Sequence, residues 1–294
     1  MEIIQNETLE IAVQTAGAEL CRIRSLATGQ EYMWDGNPQI WGSFAPVLFP
    51  IVGTLKDNTY LYDGKSYQLP RHGFFRKNDK VKLIQKSNDL LIFSLKSDPD
   101  SLRVYPFEFE MQIAFILKEN SLYISHTVRN TGEKNLLFSL GGHPAFKCPL
   151  KEGEKYEDYH LHFEHTEYAP TWDLDGGGII SGQGRLVLDN QNRLPLHSHL
   201  FDQDALIFKN LQSSSVSLNH NLSGPVLRVN FKGWPYLGIW AKPQAPYVCI
   251  EPWLGIADST DTDQRLETKE GIVTLLPGRE FEATFSIDIL NLKE

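Results

Sequence analysis

The sequence predicts an all-β chain, with many antiparallel strands stacked as a large twisted sandwich. Two observations carry this. Apolar residues recur with period two over long stretches, the spacing at which strand side chains leave by one face. Helical stripes, by contrast, are scarce and short.

In chain order, residues 9–13 alternate briefly. Tyr60-Leu61-Tyr62 and Tyr67-Gln68-Leu69 flank Asp63-Gly64, a strong hairpin signal because glycine takes a positive φ without a Cβ clash. Ser87-Asn88-Asp89 separates strands expected at 81–85 and 90–95. Asp98-Pro99-Asp100-Ser101-Leu102 starts a short helical turn. The clearest strand covers 107–117: Phe107, Phe109, Met111, Ile113, Phe115 and Leu117 share a face, alternating with Glu108, Glu110 and Gln112. A Glu119-Asn120 turn leads to Leu122, Ile124, His126 and Val128 in the same pattern. Further strands are expected at 159–163, 227–231 and 237–241, and Phe281, Ala283, Phe285, Ile287 and Ile289 form the last. Residues 261–269 read as a second short helix stopped by Gly271.

The chain has 294 residues, 41% of them hydrophobic and 22% charged, enough to bury a large core without staples. No low-complexity linker divides it, and strands resume on both sides of the Gly176-Gly177-Gly178 loop, so one domain over 1–294 is expected. A net charge of -9 argues against nucleic acid or anionic lipid as partner, since both need a basic footprint. Cys21, Cys148 and Cys249 are too few and too far apart for a disulfide framework or a zinc pair. The acidic, polar opening Met-Glu-Ile-Ile-Gln-Asn-Glu lacks the pattern of a secretory signal, and there is no apolar run of about 18 residues. A soluble cytoplasmic protein without a membrane partner is therefore expected, as monomer or homodimer.

Polar chemistry interrupts the strand pattern at several places. In Pro70-Arg71-His72-Gly73-Phe74-Phe75-Arg76, two arginines and a histidine flank a glycine beside two rings. In Gly141-Gly142-His143-Pro144-Ala145-Phe146, Pro144 favours an extended His143 at a strand end, and the glycines permit close approach. In Phe201-Asp202-Gln203-Asp204-Ala205-Leu206-Ile207-Phe208, two acids open an apolar strand. In Cys249-Ile250-Glu251-Pro252-Trp253, a carboxylate closes one, which is costly unless it is solvated, paired or working. Each has a plainer reading as a loop, edge or surface residue. His160 and His162 at period two suggest metal ligation, but no further ligand cluster supports it, and an exposed polar strand face is the better reading. His197 and His199 repeat that argument more weakly.

In their order these segments resemble the aldose 1-epimerase (galactose mutarotase-like) family, and its LacX-type branch most. The resemblance runs from Phe49 to Trp253 and implies that family's β-supersandwich. It implies His143 as general acid to the sugar ring oxygen and Glu251 as general base toward the anomeric hydroxyl. It implies His72 as a hydrogen-bonding group near the reacting centre and Asp204 as the grip on sugar hydroxyls, with Asp202 close enough to leave the register open. Relatives often carry arginine where Thr54 stands after Phe49-Pro50-Ile51-Val52-Gly53, which bears on the substrate more than on the chemistry.

The expected reaction is interconversion of the α and β anomers of an aldohexose by ring opening and reclosure. Free glutamate and histidine titrate near 4.3 and 6.5, so near neutrality they supply a ready base and a partly available acid. No metal or redox cofactor is needed. Trp253, Phe74 or Phe75 can stack on a sugar face or simply pack in the core. Arg71 and Arg76 bracket His72, with Lys56 and Lys77 near the same rim, which keeps a hexose 6-phosphate open as substrate. A carbohydrate-binding module would use the aromatics and Asp204 but would not need both His143 and Glu251. A glycosidase would need a paired carboxylate.

Overall fold

Antiparallel strands make up about half of residues 1–292, the part of the chain that the computed structural model describes. A nine-stranded sheet runs Ile180–Pro195, Tyr159–Leu174, Ser215–His220, Gly224–Asn230, Glu280–Ile289, Ser121–Asn130, Phe109–Lys118, Leu90–Lys96 and Lys82–Lys86. A six-stranded sheet runs Leu206–Lys209, Tyr236–Trp240, Tyr247–Trp253, Gly141–Gly142 and Val47–Leu48, with Ala145–Lys147 also paired to Tyr247–Trp253. Glu2–Gln5, Leu9–Gln14 and Glu19–Ser25 form a smaller sheet.

The large sheets face each other. Rings reach across: Phe163 lies 6.0 Å from Phe208, centroid to centroid. Phe285 of the larger sheet occupies the space where a Cβ on Gly142 of the smaller would project, 2.7 Å from its ring. One apolar cluster extends from Ile4 to Ile289.

Period two does what it predicts. Phe109, Met111, Ile113, Phe115 and Leu117 are buried, and the residues between them are not. Their strand pairs residue for residue with Ser121–Asn130 across the Glu119-Asn120 turn. Phe107 falls just before the strand and packs on Tyr62 and Tyr105. At the Asp63-Gly64 hairpin both turn residues take positive φ, +50° and +71°, the two-residue geometry that matches strand twist. Pro99–Val104 is helical. Asp98 accepts from the Asp100 and Ser101 N–H groups, and Ser101 Oγ accepts from Asp98 N–H.

The helix expected over 261–269 is instead a run of turns ending in a 3₁₀ turn, Leu266–Thr268. Asp263 accepts from Arg265 N–H and the Thr268 hydroxyl, so side chains satisfy the backbone that a helix would have used. Lys269 then turns inward to Asp258, 2.7 Å away and equally buried. All three cysteines are free thiols. Among the described residues no helix is long and apolar enough to cross a membrane.

Candidate active site

A cleft of about 870 Å³ opens over the six-stranded sheet. His72, His143, Asp204, Glu251, Arg71, Arg76 and Trp253 all line it, brought together from distant parts of the chain. Asp202 lines it too, but its carboxylate pairs with the exposed His199, 2.8 Å from Nδ1, which leaves Asp204 as the acid facing inward.

Glu251 sits on the central strand Tyr247–Trp253, opposite Gly238, and is 1% exposed. The neighbouring strand Gly141–Gly142 ends immediately before His143. His143 Nδ1 therefore comes within 3.3 Å of Glu251 Oε1. Trp41 stacks on the imidazole at 5.1 Å, and Trp240 and His72 present edges at 5.8 Å. Trp253 rests between glycines: a Cβ on Gly238 would stand 2.4 Å from its ring, and one on Gly141 2.8 Å. Any larger residue at either position would displace the indole.

His72 has φ +68° and Asp204 φ +74°, backbone geometries that non-glycine residues adopt rarely and that cluster at functional sites. His72 is held there by its N–H on the Gly53 carbonyl and by Gly53 N–H donating to its Nδ1 at 3.1 Å. Since Nδ1 accepts, the ring proton of neutral His72 sits on Nε2. Arg71 Nε is 3.3 Å from that Nε2, but two donors facing each other form no hydrogen bond. Asp204 Oδ1 accepts from Ala205 N–H at 2.8 Å.

Burial dominates the electrostatics. It raises Glu251 well above the ordinary carboxyl range, against the pull of Arg71 and the Trp253 indole, with Asp204 adding to the rise. It pushes His143 down to about 3, with Arg71 and Arg76 contributing, and puts His72 well below its ordinary value. These shifts run opposite to the free-side-chain expectation, under which Glu251 is ionised and His143 partly charged. Both shifts favour the uncharged forms of the pair.

The buried polar atoms left without partners include His143 Nδ1, Glu251 Oε2, Trp253 Nε1 and Thr54 Oγ1, all in or beside this cleft. Leaving such atoms unsatisfied costs about 1–3 kcal/mol each. Thr54 lies under the hairpin tip, where a Cβ on Gly178 would come 3.0 Å from its Oγ1 and 3.3 Å from Arg71 Nη1. His143, Cys249 and Glu251 also offer ligand atoms within 4.8 Å of one another.

Of the two places left open for their rings, Phe74 and Phe75 take the core. Phe75 is fully buried, and Phe74 packs on Phe49 and Tyr105; neither lines the cleft. Trp41 and Trp240 do line it, with Asp173, Asp175 and Gly178 of the hairpin tip. Their one sequence signal was a large ring beside polar or turn residues, which many core positions share. Lys56 donates to the Thr260 carbonyl and Lys77 to the Gly42 carbonyl, both away from the cleft. Arg76 donates to Ser43 Oγ. His160 is buried and bonded to Asn221 at 2.8 Å, not part of an exposed face, because its strand is paired on both sides, with Pro195 and Asn219 opposite.

The aldose 1-epimerase family model matches residues 1–287. The LacX proteins of Lactococcus lactis subsp. lactis, plasmid and chromosomal, are 34% identical over 297 residues, covering 98% of this chain and 99% of theirs. A galactose mutarotase related enzyme from Lactobacillus acidophilus superposes with TM-score 0.93 at 35% identity, over 100% of this chain and 98% of that one. A galactose mutarotase-like protein from Lactobacillus casei ATCC 334 gives 0.91 at 27% identity, over 99% and 100%. A family match across nearly the whole length, together with two solved relatives that share the sandwich end to end, places this chain in the aldose 1-epimerase family.

Proposed function

We propose that this chain is an aldose 1-epimerase that interconverts the α and β anomers of a free aldohexose, working as one unit over 1–294. The observation that carries the reading is the 3.3 Å approach of Glu251 Oε1 and His143 Nδ1 on the cleft floor. The anomeric hydroxyl and the ring oxygen are both bonded to C1, so their base and acid must stand side by side. A glycosidase needs its carboxyls about 5–9.5 Å apart.

In this reading Glu251 takes the O1 proton as His143 delivers one to the ring oxygen, and the C1–O5 bond breaks. The open-chain aldehyde turns about C1–C2 and recloses on its other face with the transfers reversed. No proton is gained or lost. The ionised Glu251–protonated His143 pair holds the same number of protons as the neutral pair, so moving one proton across the gap arms the site. His72 Nε2–H and Asp204 hold hydroxyls, and Trp253 lies along the sugar. No step uses a cofactor.

Arg71 and Arg76 favour a hexose 6-phosphate as second reading. The carboxylates of Asp173, Asp175, Asp202 and Asp204 line the same cleft and oppose a dianion, which favours the neutral sugar.

Polarimetry of freshly dissolved α-glucose, α-galactose and α-glucose 6-phosphate tests this. The wild type should speed equilibration of a free sugar. Glu251→Gln and His143→Asn should each slow it by about 10²–10⁴-fold with circular dichroism unchanged. If Glu251→Gln matches wild type, the base assignment is wrong. A preference for the phosphate that Arg76→Ala abolishes would select the second reading.

A further inference from the structure

Cys249 has no part in the acid–base scheme. It is fully buried and does not line the cleft, yet it shares a strand face with Glu251 two residues on. Its Sγ, a His143 nitrogen and a Glu251 oxygen lie within 4.8 Å of one another. Two of these side chains also carry polar atoms that are buried and unpartnered, His143 Nδ1 and Glu251 Oε2.

We infer that His143, Cys249 and Glu251 form an inhibitory site for a thiophilic divalent cation, with zinc as the fitting case. Sulfur, imidazole and carboxylate together suit zinc and not magnesium or calcium, which prefer all-oxygen sets. Zinc bonds of about 2.0–2.3 Å put ligand atoms roughly 3–4 Å apart, so side-chain shifts of an ångström or less close the set. One thiolate and one carboxylate neutralise the ion, which matters in a site this buried. Their protons leave to solvent as the metal binds. The cleft is the way in. Its carboxylates at Asp173, Asp175, Asp202 and Asp204 attract a cation, while Arg71 and Arg76 oppose it. A three-ligand set leaves a fourth position open toward the cleft. Because the metal takes both acid–base groups, sugar and zinc exclude each other.

Inhibition rests on the epimerase reading, but binding does not. The test therefore uses cobalt(II) as a spectroscopic probe with zinc as competitor. One equivalent of cobalt should give a near-ultraviolet sulfur-to-metal charge-transfer band in wild type, and zinc should erase it. Cys249→Ala and Cys249→Ser should lack the band, keep basal activity and need roughly tenfold or more zinc for half-inhibition. Should both variants misfold, Glu251→Gln serves instead: the band is lost or much weakened if the inference holds. A band that persists in the cysteine variants would point to Cys21 or Cys148 and overturn it. So would its absence from wild type, or zinc inhibition unchanged by the variants. Sugar that fails to displace the cobalt band would overturn mutual exclusion.

Discussion

Burial, more than any neighbouring charge, sets how Glu251 and His143 titrate. From free-group values the active ionised pair would exist only between about 4.3 and 6.5, and the rate would fall on either side. In the cleft His143 takes an extra proton only near 3, and Glu251 gives up its own well above the ordinary range. The pair keeps its single proton across the interval between. We expect kcat/KM, which reports the free enzyme, to stay level from pH 4.5 through 6.5 and to decline only on the alkaline side. A break near 6.5 would mean that His143 titrates as a free imidazole and that its burial has been misjudged.

At the scale of elements, the site depends on glycines that lie across the sheet from the residues they serve. Gly238 stands opposite Glu251 on the adjacent strand and leaves room for the Trp253 ring. A methyl there must push the indole toward the cleft or pry the strands apart. Gly238→Ala should therefore lower stability by about 1–3 kcal/mol, the usual cost of overpacking. It should also lower kcat/KM on the order of 10²-fold, as misplacement by an ångström does. Thermal unfolding and polarimetry on one preparation check both. Wild-type activity in a folded Gly238→Ala protein would show that the position of Trp253 is not critical. Gly53 works by another route, since its N–H fixes the acceptor nitrogen of His72 and so the tautomer turned to the cleft.

On the scale of the whole molecule, a residue outside the cleft adds to the acid sensitivity that the buried His72 and His143 also confer. His126, on the strand Ser121–Asn130, is 1% exposed, stacked on Phe285 and edge-on to Trp234, with neither ring nitrogen hydrogen-bonded. Burial holds its titration down to about 4. Unfolded, it takes a proton near 6.5, so the folded state is penalised as pH falls from 6.5 to 4 and unaffected above. Each pH unit in that window costs about 1.4 kcal/mol. His126→Phe keeps the stacking and removes the titration. Denaturant melts should show it gaining on wild type as pH drops from 7 to 4, with little pH-dependent gain above 7. Parallel losses in the two proteins would rule His126 out as a source. Phe285 also packs on Gly142, next to His143, so this residue lies beneath the site without touching it.

Period-two alternation and the Asp63-Gly64 turn already determined the all-β architecture, because strand faces and tight turns are set by neighbours in sequence. The ordered segments around His72, His143, Asp204 and Glu251 pointed to one site only through their resemblance to the aldose 1-epimerase family; taken singly, each also reads as a loop, edge or surface residue. Only the tertiary structure decided which rings reach the cleft. Phe74 and Phe75 look as suitable in sequence as Trp41 and Trp240, but their strand and loop directions send them to the core. The same holds for the helix expected over 261–269, lost to side-chain caps and to Lys269 turning in toward Asp258. It holds above all for the raised titration of Glu251. A carboxyl's titration depends on the water it loses, and Glu251 is dried by Trp253, His143 and the sheet around it. These come from segments far apart in the chain, and no local pattern records their meeting.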